Sequence, residues 1–159
     1  MNIAIWDLDN CLSDDGWRIP YIDWHKPLEH RWNNYHRLCF RDAPANHAEF
    51  GRAADLGLSP MFFTGRPAST RALTMAWLSC HFDIRSPMLL MRANDDHRPS
   101  VDVKLELLTG ALQRVKGRPR VAYDDKPDIV QMYRDVFDID ARVLRIHNID
   151  AYKRREEAA

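Results

Sequence analysis

Carboxylate side chains follow two short apolar runs in this 159-residue sequence. Asp7 and Asp9 come directly after residues 3–6, and Asp124 and Asp125 come directly after a later apolar run. Side chains two residues apart on a continuing strand point to the same side, so the first two carboxylates can act together. Such a pair can bind a hard cation such as Mg²⁺, or it can divide the roles of nucleophile and proton donor.

A hydroxyl and two cations stand at comparable places in the sequence. Thr64, Gly65 and Arg66 follow another apolar run, and we expect a helix to begin immediately after them. A helix N-terminus favours phosphate because its N–H groups are free. Lys104 lies near the start of a later predicted helix. Taken singly, each residue also suits a turn, a helix cap or a solvated surface, and only their combination favours a phosphate site.

Short apolar strands alternate with helices along most of the chain. Strands are predicted at 3–6, 59–63, 88–91, 120–123 and 141–146, and helices at 46–56, 69–81, 101–115 and 127–136. This alternation predicts an α/β fold: a Rossmann-like, mostly parallel five-stranded sheet with helices on both faces. In such a sheet the active site lies beyond the carboxyl ends of the strands, where the motifs above would meet.

Residues 13–45 interrupt this alternation. They are rich in Trp, Tyr, His and Arg, prolines break them, and helical spacing at 28–38 has a poor apolar face. We interpret 13–45 as a small cap inserted after the first strand, with 1–12 and 46–150 forming the core. The charged tail 151–159 is predicted to be a frayed helix end.

Charge and cysteine content limit the protein class. Lys plus Arg and Asp plus Glu both number 23, so the net charge is zero, which disfavours a general nucleic-acid coat but permits binding of a nucleic-acid end. Cys11, Cys39 and Cys80 form no CxxC pair, so neither a disulfide framework nor a zinc site is expected. Without a signal-peptide pattern or a long apolar stretch, we predict a cytoplasmic protein with no membrane association and no obligatory protein partner.

The motifs stand in the order and spacing of the four motifs of the haloacid dehalogenase superfamily. They are Asp7-Leu8-Asp9, Thr64-Gly65-Arg66, Lys104 and Asp124-Asp125. The later half also resembles the 3′-phosphatase domain of bacteriophage polynucleotide kinase, in residues 88–92, a polar loop with Asp95, Asp96 and Arg98, and residues 132–134. The sequence contains no P-loop GxxxxGK[ST], so no kinase motif accompanies the resemblance. Asn10-Cys11 departs from the Gly-Thr of many relatives.

The resemblance implies a Mg²⁺-dependent phosphomonoesterase. Asp7 would be the nucleophile that forms an aspartyl-phosphate, and Asp9 the general acid and base. Thr64 and Lys104 would hold the phosphoryl oxygens. The implied metal ligands are acidic residues and one carbonyl: Asp7, the backbone carbonyl of Asp9, Asp124, and Asp125 as a further ligand or its orienter.

The cap is the segment that the resemblance associates with substrate choice, and a small cap leaves an open site for a bulky substrate. Substrate contacts are predicted for cationic and aromatic side chains: Arg66, Arg92, Trp17, Trp24, Trp32 and Arg31. The same aromatics also suit packing of the cap onto the sheet. Three functions stay open: a phosphatase for a nucleotide or a nucleic-acid 3′ end, a small-metabolite phosphatase, and an inactive binding module. The complete acidic and cationic set favours an enzyme.

Overall fold

A five-stranded parallel sheet forms the centre of the computed structural model, which describes residues 1–148. In chain order the elements are β1 (Asn2–Trp6), β2 (Ser13–Asp14), α1 (Leu28–Arg31), α2 (Asn33–Arg37), β3 (Ala43–Pro44), α3 (His47–Asp55), β4 (Ser59–Pro67), α4 (Arg71–Phe82), β5 (Met88–Arg92), α5 (Ser100–Leu112), β6 (Arg118–Asp124), α6 (Pro127–Phe137) and β7 (Asp140–Val143). Neighbouring strands in the order β5-β4-β1-β6-β7 all pair in parallel. The predicted α/β fold is confirmed.

Side chains of β1 alternate between two hydrophobic layers, as the two-residue period of a strand requires. Ala4 and Trp6 belong to the layer that contains side chains of α3 and α4, including Trp77. Ile3 and Ile5 belong to the layer that contains side chains of α5 and α6. Helices therefore cover both faces of the sheet, which a buried parallel sheet needs.

The second strand of the core extends further than its apolar run predicts. β4 runs to Pro67, and α4 begins only at Arg71, after a short 3₁₀ turn. The expectation that a helix begins directly after Arg66 is therefore wrong. A residue that precedes proline is disfavoured in the helical region, so Pro67 keeps Arg66 extended. Thr64 consequently pairs with Met91 as part of the sheet.

The last strand is shorter than predicted. β7 ends at Val143, whereas the sequence pattern extends to residue 146. Beyond it, the Leu144 N–H donates to the Asp124 carbonyl at 3.0 Å and the Ile146 N–H donates to the Asn10 carbonyl at 3.0 Å. The chain thus leaves the strand ladder and turns toward the residues that follow β1.

Residues 13–44, here called the insertion, leave and rejoin the core at one point, because β2 and β3 pair antiparallel. The insertion has its own small apolar cluster of Ile19, Ile22 and Tyr35, against which Trp24 and Trp32 pack. The predicted helical stretch at 28–38 is divided into α1 and α2. The predicted tail 151–159 lies outside the described residues. Within 1–148, no helix is both long and apolar enough to cross a membrane.

Candidate active site

The carboxyl ends of β1, β4 and β6 meet at a cavity of about 590 Å³. Predicted catalytic residues that line it are Asp7, Asp9, Thr64, Lys104 and Asp125. One side is lined by the insertion, and another by the loop between β5 and α5. Four separate chain segments thus bring the sequence-predicted chemistry to one place.

Lys104 lies between two carboxylates that come from neighbouring strands. Its Nζ is 2.8 Å from Asp7 Oδ1 and 2.5 Å from Asp124 Oδ2, and its side chain is buried. Burial opposes the charge of Lys104, but the charges of Asp124 and Asp7 outweigh it and raise its pKa well above the ordinary value. Lys104 is therefore a permanent cation beside the predicted nucleophile.

Asp7, Asp124 and Asp125 form an acidic cluster that suits a metal ion. Each offers one carboxylate oxygen, and these oxygens lie within 4.8 Å of one another. Burial raises the pKa of Asp124 to about 6, and burial together with the charges of Asp7 and Asp124 raises the pKa of Asp125 to about 8. Carboxylate oxygens are the ligands that Mg²⁺ prefers, and one lysine cannot neutralise three carboxylates, so the donor set fits that ion. Asp9 does not belong to this cluster through its carboxylate, and the role of its backbone carbonyl stays a prediction.

We expect Mg²⁺ to stabilise the protein more at pH 8 than at pH 5. Asp125 has a folded-state pKa of about 8 against an ordinary 3.8, so between these values the folded protein holds a proton that the unfolded chain has lost. The contribution of this group to the metal-free stability therefore falls as the pH rises through that range. At pH 8 a saturating concentration of Mg²⁺ should raise the Tm by about 5 °C. At pH 5 the bound proton competes with the cation and the shift should be smaller.

Thermal melts of the protein with Mg²⁺ and with chelator at both pH values measure this difference. Asp125→Asn removes the group with the higher pKa and should make the Mg²⁺-induced shift smaller and less dependent on pH. The dependence that remains belongs to Asp124, whose pKa is about 6. Asp102→Asn, an exposed acidic position on α5, is the matched control and should behave as the unmodified protein does. Equal Tm shifts at pH 5 and pH 8 in the unmodified protein would contradict the assignment of Asp125.

Two buried arginines hold the carboxylate of Asp9. Arg18 Nη2 and Arg66 Nη2 donate to Asp9 Oδ1 at 2.7 and 2.6 Å, and both arginines also contact Asp42. Burial opposes ionisation of Asp9, but the charges of Arg66 and Arg18 outweigh it and hold the pKa of Asp9 below its ordinary range. Asp9 is therefore an ionised carboxylate with a fixed orientation at the cavity.

Arg66 contacts other protein groups and does not line the cavity. It is fully buried, donates to Asp9, Ser13 Oγ and Thr74 Oγ1, and is not among the residues that line the cavity. In this geometry Arg66 holds the carboxylate of Asp9, and its contact with substrate stays a prediction. Arg18 and Asp42 complete the arrangement, and the sequence did not predict the place of either beside Asp9 and Arg66. No pattern marks them, because an arginine in a Trp- and His-rich segment looks like a surface residue.

The loop after β1 contains Asn10-Cys11, where many relatives have Gly-Thr, and the conformation of Asn10 is compatible with this exchange. Its φ is 61°, in the left-handed region that Gly and Asn adopt most readily. Its Nδ2 donates to Asp125 Oδ2 at 3.1 Å, and its Oδ1 accepts from the His147 N–H at 2.9 Å. Cys11 is fully buried, and burial with the charge of Asp7 raises its pKa well above the ordinary value. Cys11 is therefore a neutral thiol and a poor nucleophile.

The aromatic and cationic residues predicted to contact substrate fall into two groups. Trp32 and Arg92 line the cavity, whereas Trp17, Trp24 and Arg31 do not. Trp24 packs edge-on against Trp32 at 5.8 Å between ring centroids, and the Arg31 guanidinium lies 5.4 Å from the Trp24 ring centroid. Trp17 donates instead to Asp42 Oδ1 at 3.0 Å. Trp24 and Arg31 thus support Trp32 from outside the cavity.

Arg92 organises the loop between β5 and α5. Its guanidinium donates to the carbonyls of Gly65, Asp96 and Arg98 at 3.2, 2.9 and 2.7 Å. Because the guanidinium donors of Arg92 bond to backbone carbonyls, Arg92 holds the loop that lines the cavity. These donors are not free to bind a substrate phosphate. Lys126, which the sequence analysis did not single out, is an exposed cation that lines the same cavity.

The family model and the curated relative that match this chain are both described as polynucleotide kinase proteins. A family model described as the polynucleotide kinase PNKP phosphatase domain matches residues 1–148. A putative bifunctional polynucleotide kinase/RNA ligase of Autographa californica nuclear polyhedrosis virus is 33% identical over 76 residues, which cover 48% of this chain and 11% of that protein. The chain thus spans about a tenth of the curated relative's length.

Two solved structures share the fold. The structure of a Pnkp1/Rnl/Hen1 complex has a TM-score of 0.68 at 21% identity, covering 92% of this chain and 47% of the matched chain. The structure of the Pnkp1/Rnl/Hen1 RNA repair complex has a TM-score of 0.64 at 21% identity, covering 91% of this chain and 42% of the matched chain. In both comparisons the chain corresponds to less than half of the matched chain.

Proposed function

We propose that this chain, which belongs to the family of polynucleotide kinase PNKP phosphatase domains, removes the phosphate from the 3′ end of a nucleic acid. The observation that carries the proposal is the placement of Lys104 between Asp7 and Asp124, in a cavity that Asp9 also lines. An ionised carboxylate, a buried cation and a second, oriented carboxylate are the groups that hydrolysis through a covalent intermediate needs.

In the first step, Asp7 attacks phosphorus and the bond between phosphorus and the leaving oxygen breaks. The product on the protein is an aspartyl-phosphate. Lys104, which lies 2.8 Å from Asp7, and the hydroxyl of Thr64 hold the phosphoryl oxygens while charge moves between them. A Mg²⁺ ion held by Asp7, Asp124 and Asp125 would neutralise part of the phosphate charge.

Asp9 handles the protons in both steps. It gives a proton to the leaving alcohol, and it later removes a proton from the water that hydrolyses the aspartyl-phosphate. The low pKa of Asp9 in the free protein favours the basic form. A phosphate dianion bound beside Asp9 disfavours a second negative charge and raises its proton affinity, so substrate binding itself promotes protonation of the acid.

The cavity supports a nucleic-acid end as the substrate. Its volume of about 590 Å³ leaves room for a nucleoside beside the phosphate, and Trp32 and Lys126 offer a ring and a cation along its sides. Aromatic rings bind bases by stacking, and cations bind neighbouring phosphates. The names of the relatives, which include a polynucleotide kinase/RNA ligase and an RNA repair complex, point to the same substrate class.

A substrate panel tests this proposal. Phosphate release is measured with Mg²⁺ on a 3′-phosphorylated oligonucleotide, the same oligonucleotide phosphorylated at the 5′ end, a sugar phosphate and p-nitrophenyl phosphate. We expect kcat/KM for the 3′-phosphorylated oligonucleotide to exceed that of the sugar phosphate by at least about tenfold, the value of one stacked base. Equal values on both would favour a small-metabolite phosphatase. No release from any ester, with the oligonucleotide still bound, would favour an inactive binding module.

A further inference from the structure

We infer that His36 and Trp32 form a subsite for the terminal nucleoside, in which the imidazole of His36 hydrogen-bonds the ribose 2′-hydroxyl and so selects RNA ends. This inference rests on the proposed function, because it requires a 3′-phosphorylated nucleoside in the cavity. The inference adds His36 as a residue that distinguishes RNA ends from DNA ends. The groups that bind the phosphate cannot make this distinction, because the phosphate is the same in both.

The two side chains lie next to each other on the insertion. Trp32 immediately precedes α2, and the His36 N–H donates to the Trp32 carbonyl at 2.9 Å. Residues four apart on a helix project from the same side. Their ring centroids are 6.2 Å apart at an interplanar angle of 33°, and both side chains line the cavity. A ligand beside one ring therefore meets the other.

The imidazole of His36 has hydrogen-bonding capacity that the protein does not use. Among residues 1–148 the side chain of His36 has no hydrogen-bond partner. One of its ring nitrogens, Nδ1, is buried. The other ring nitrogen, Nε2, is not sealed off in this way and also has no hydrogen-bond partner among the described residues, so it is the atom that a ligand in the cavity can reach. A neutral imidazole has one donor and one acceptor nitrogen, and a hydroxyl group can serve either of them.

The surroundings of His36 keep it neutral. Burial lowers its pKa to about 3; the charge of Asp9 opposes this shift, and the charges of Arg18, Arg66 and Arg92 add to it. Arg18 donates to Asp9 Oδ1 at 2.7 Å and to the carbonyl of Tyr35, the residue before His36, at 2.8 Å. His36 therefore lies on the Asp9 side of the cavity, where it is an uncharged hydrogen-bonding group.

The Asp9 side is where the proposed reaction puts the sugar. Asp7 and Lys104 meet the phosphoryl group, whereas Asp9 meets the leaving oxygen O3′. The ribose 2′-hydroxyl is attached to the carbon next to the one that carries O3′, so a side chain near Asp9 reaches it directly. This hydroxyl is the group by which proteins distinguish RNA from DNA. Trp32, held edge-on by Trp24 and Tyr35 at centroid distances of 5.8 and 5.4 Å, offers a firm surface for the adjoining base.

The test compares two oligonucleotides that differ only in the terminal sugar, one with a ribose 3′-phosphate and one with a 2′-deoxyribose 3′-phosphate. We expect the unmodified protein to favour the ribose end by about tenfold in kcat/KM, which corresponds to one hydrogen bond. His36→Phe keeps a planar ring and removes both nitrogens, and it should bring the ratio close to one, mainly through a higher KM for the ribose end. His30→Phe, at an exposed position of the same insertion away from the cavity, should keep the ratio of the unmodified protein.

Other results would overturn the inference. Equal rates on the two ends by the unmodified protein, or an unchanged ratio in His36→Phe, would remove His36 from sugar recognition while the proposed function stands. Hydrolysis of p-nitrophenyl phosphate but of neither oligonucleotide would overturn the proposed function and this inference with it. If His36→Phe does not fold, inhibition of the unmodified protein by adenosine and 2′-deoxyadenosine decides: weaker inhibition by the deoxynucleoside supports the inference, and equal inhibition overturns it.

Discussion

Asp7→Asn is expected to abolish phosphate release while the protein stays folded. Asparagine has nearly the shape of aspartate, but its amide cannot attack phosphorus as a carboxylate does. The substitution also removes one carboxyl group from the crowded acidic cluster with Asp124 and Asp125, so the folded state loses repulsion. Lys104 keeps its contact with Asp124 at 2.5 Å and is not left unpaired. We therefore expect a Tm at least equal to that of the unmodified protein.

The size of the loss separates a nucleophile from a supporting group. Removal of one hydrogen-bond donor that stabilises a transition state costs about 10²–10³ in rate, and removal of the attacking atom should cost more. Activity of Asp7→Asn on the 3′-phosphorylated oligonucleotide is measured beside Asp23→Asn, a half-buried acidic position of the insertion that does not line the cavity. Activity above about one hundredth of the unmodified value would exclude Asp7 as the nucleophile.

The parts of the site that sequence analysis predicted are those that follow strands directly. Asp7 and Asp124 come at or just after the ends of buried runs, and the parallel sheet fixes where such ends meet. Their convergence follows from topology, which the alternation of strands and helices reveals. Lys104 stands near the start of a predicted helix, and only its combination with the other motifs marked it as a site residue. The order of strands and helices in the chain therefore predicts which side chains meet at the carboxyl edge of the sheet.

The parts that sequence analysis missed depend on contacts between distant segments. Arg18, Asp42 and Arg66 meet around Asp9 only because β2 and β3 close the base of the insertion. The spacing of these residues in the sequence does not indicate that they form ion pairs, and the sequence does not show whether an arginine is buried or exposed. The contact of Arg66 with Asp9 could not be predicted for this reason. Backbone chemistry offered one missed signal, the proline at position 67, which keeps Arg66 in the strand.

Arg18→Ala is expected to produce the largest loss of stability among single substitutions in the insertion. Arg18 is fully buried and donates to Asp9 and Asp42 at 2.7 and 2.6 Å, and to the Tyr35 carbonyl at 2.8 Å. Its removal leaves Asp42 buried with Arg66 at 3.5 Å as its nearest remaining arginine. Breaking a buried ion pair from one side costs about 3–5 kcal/mol, because the other charge stays behind without compensation. Urea unfolding at pH 7 measures this, with Arg37→Ala on the exposed side of the same insertion as the control.

The activity of Arg18→Ala shows whether this arginine acts on Asp9 as well as on the fold. Arg18 and Arg66 together hold the pKa of Asp9 below its ordinary range, so loss of Arg18 should raise that pKa. The limb of the pH–rate profile that Asp9 sets should then move to higher pH, and the profile of Arg37→Ala should not move. A folding defect by itself lowers the amount of active protein equally at every pH at which the protein is folded. Lower stability without a shifted limb would therefore restrict Arg18 to a structural role and leave Arg66 as the residue that sets the charge of Asp9.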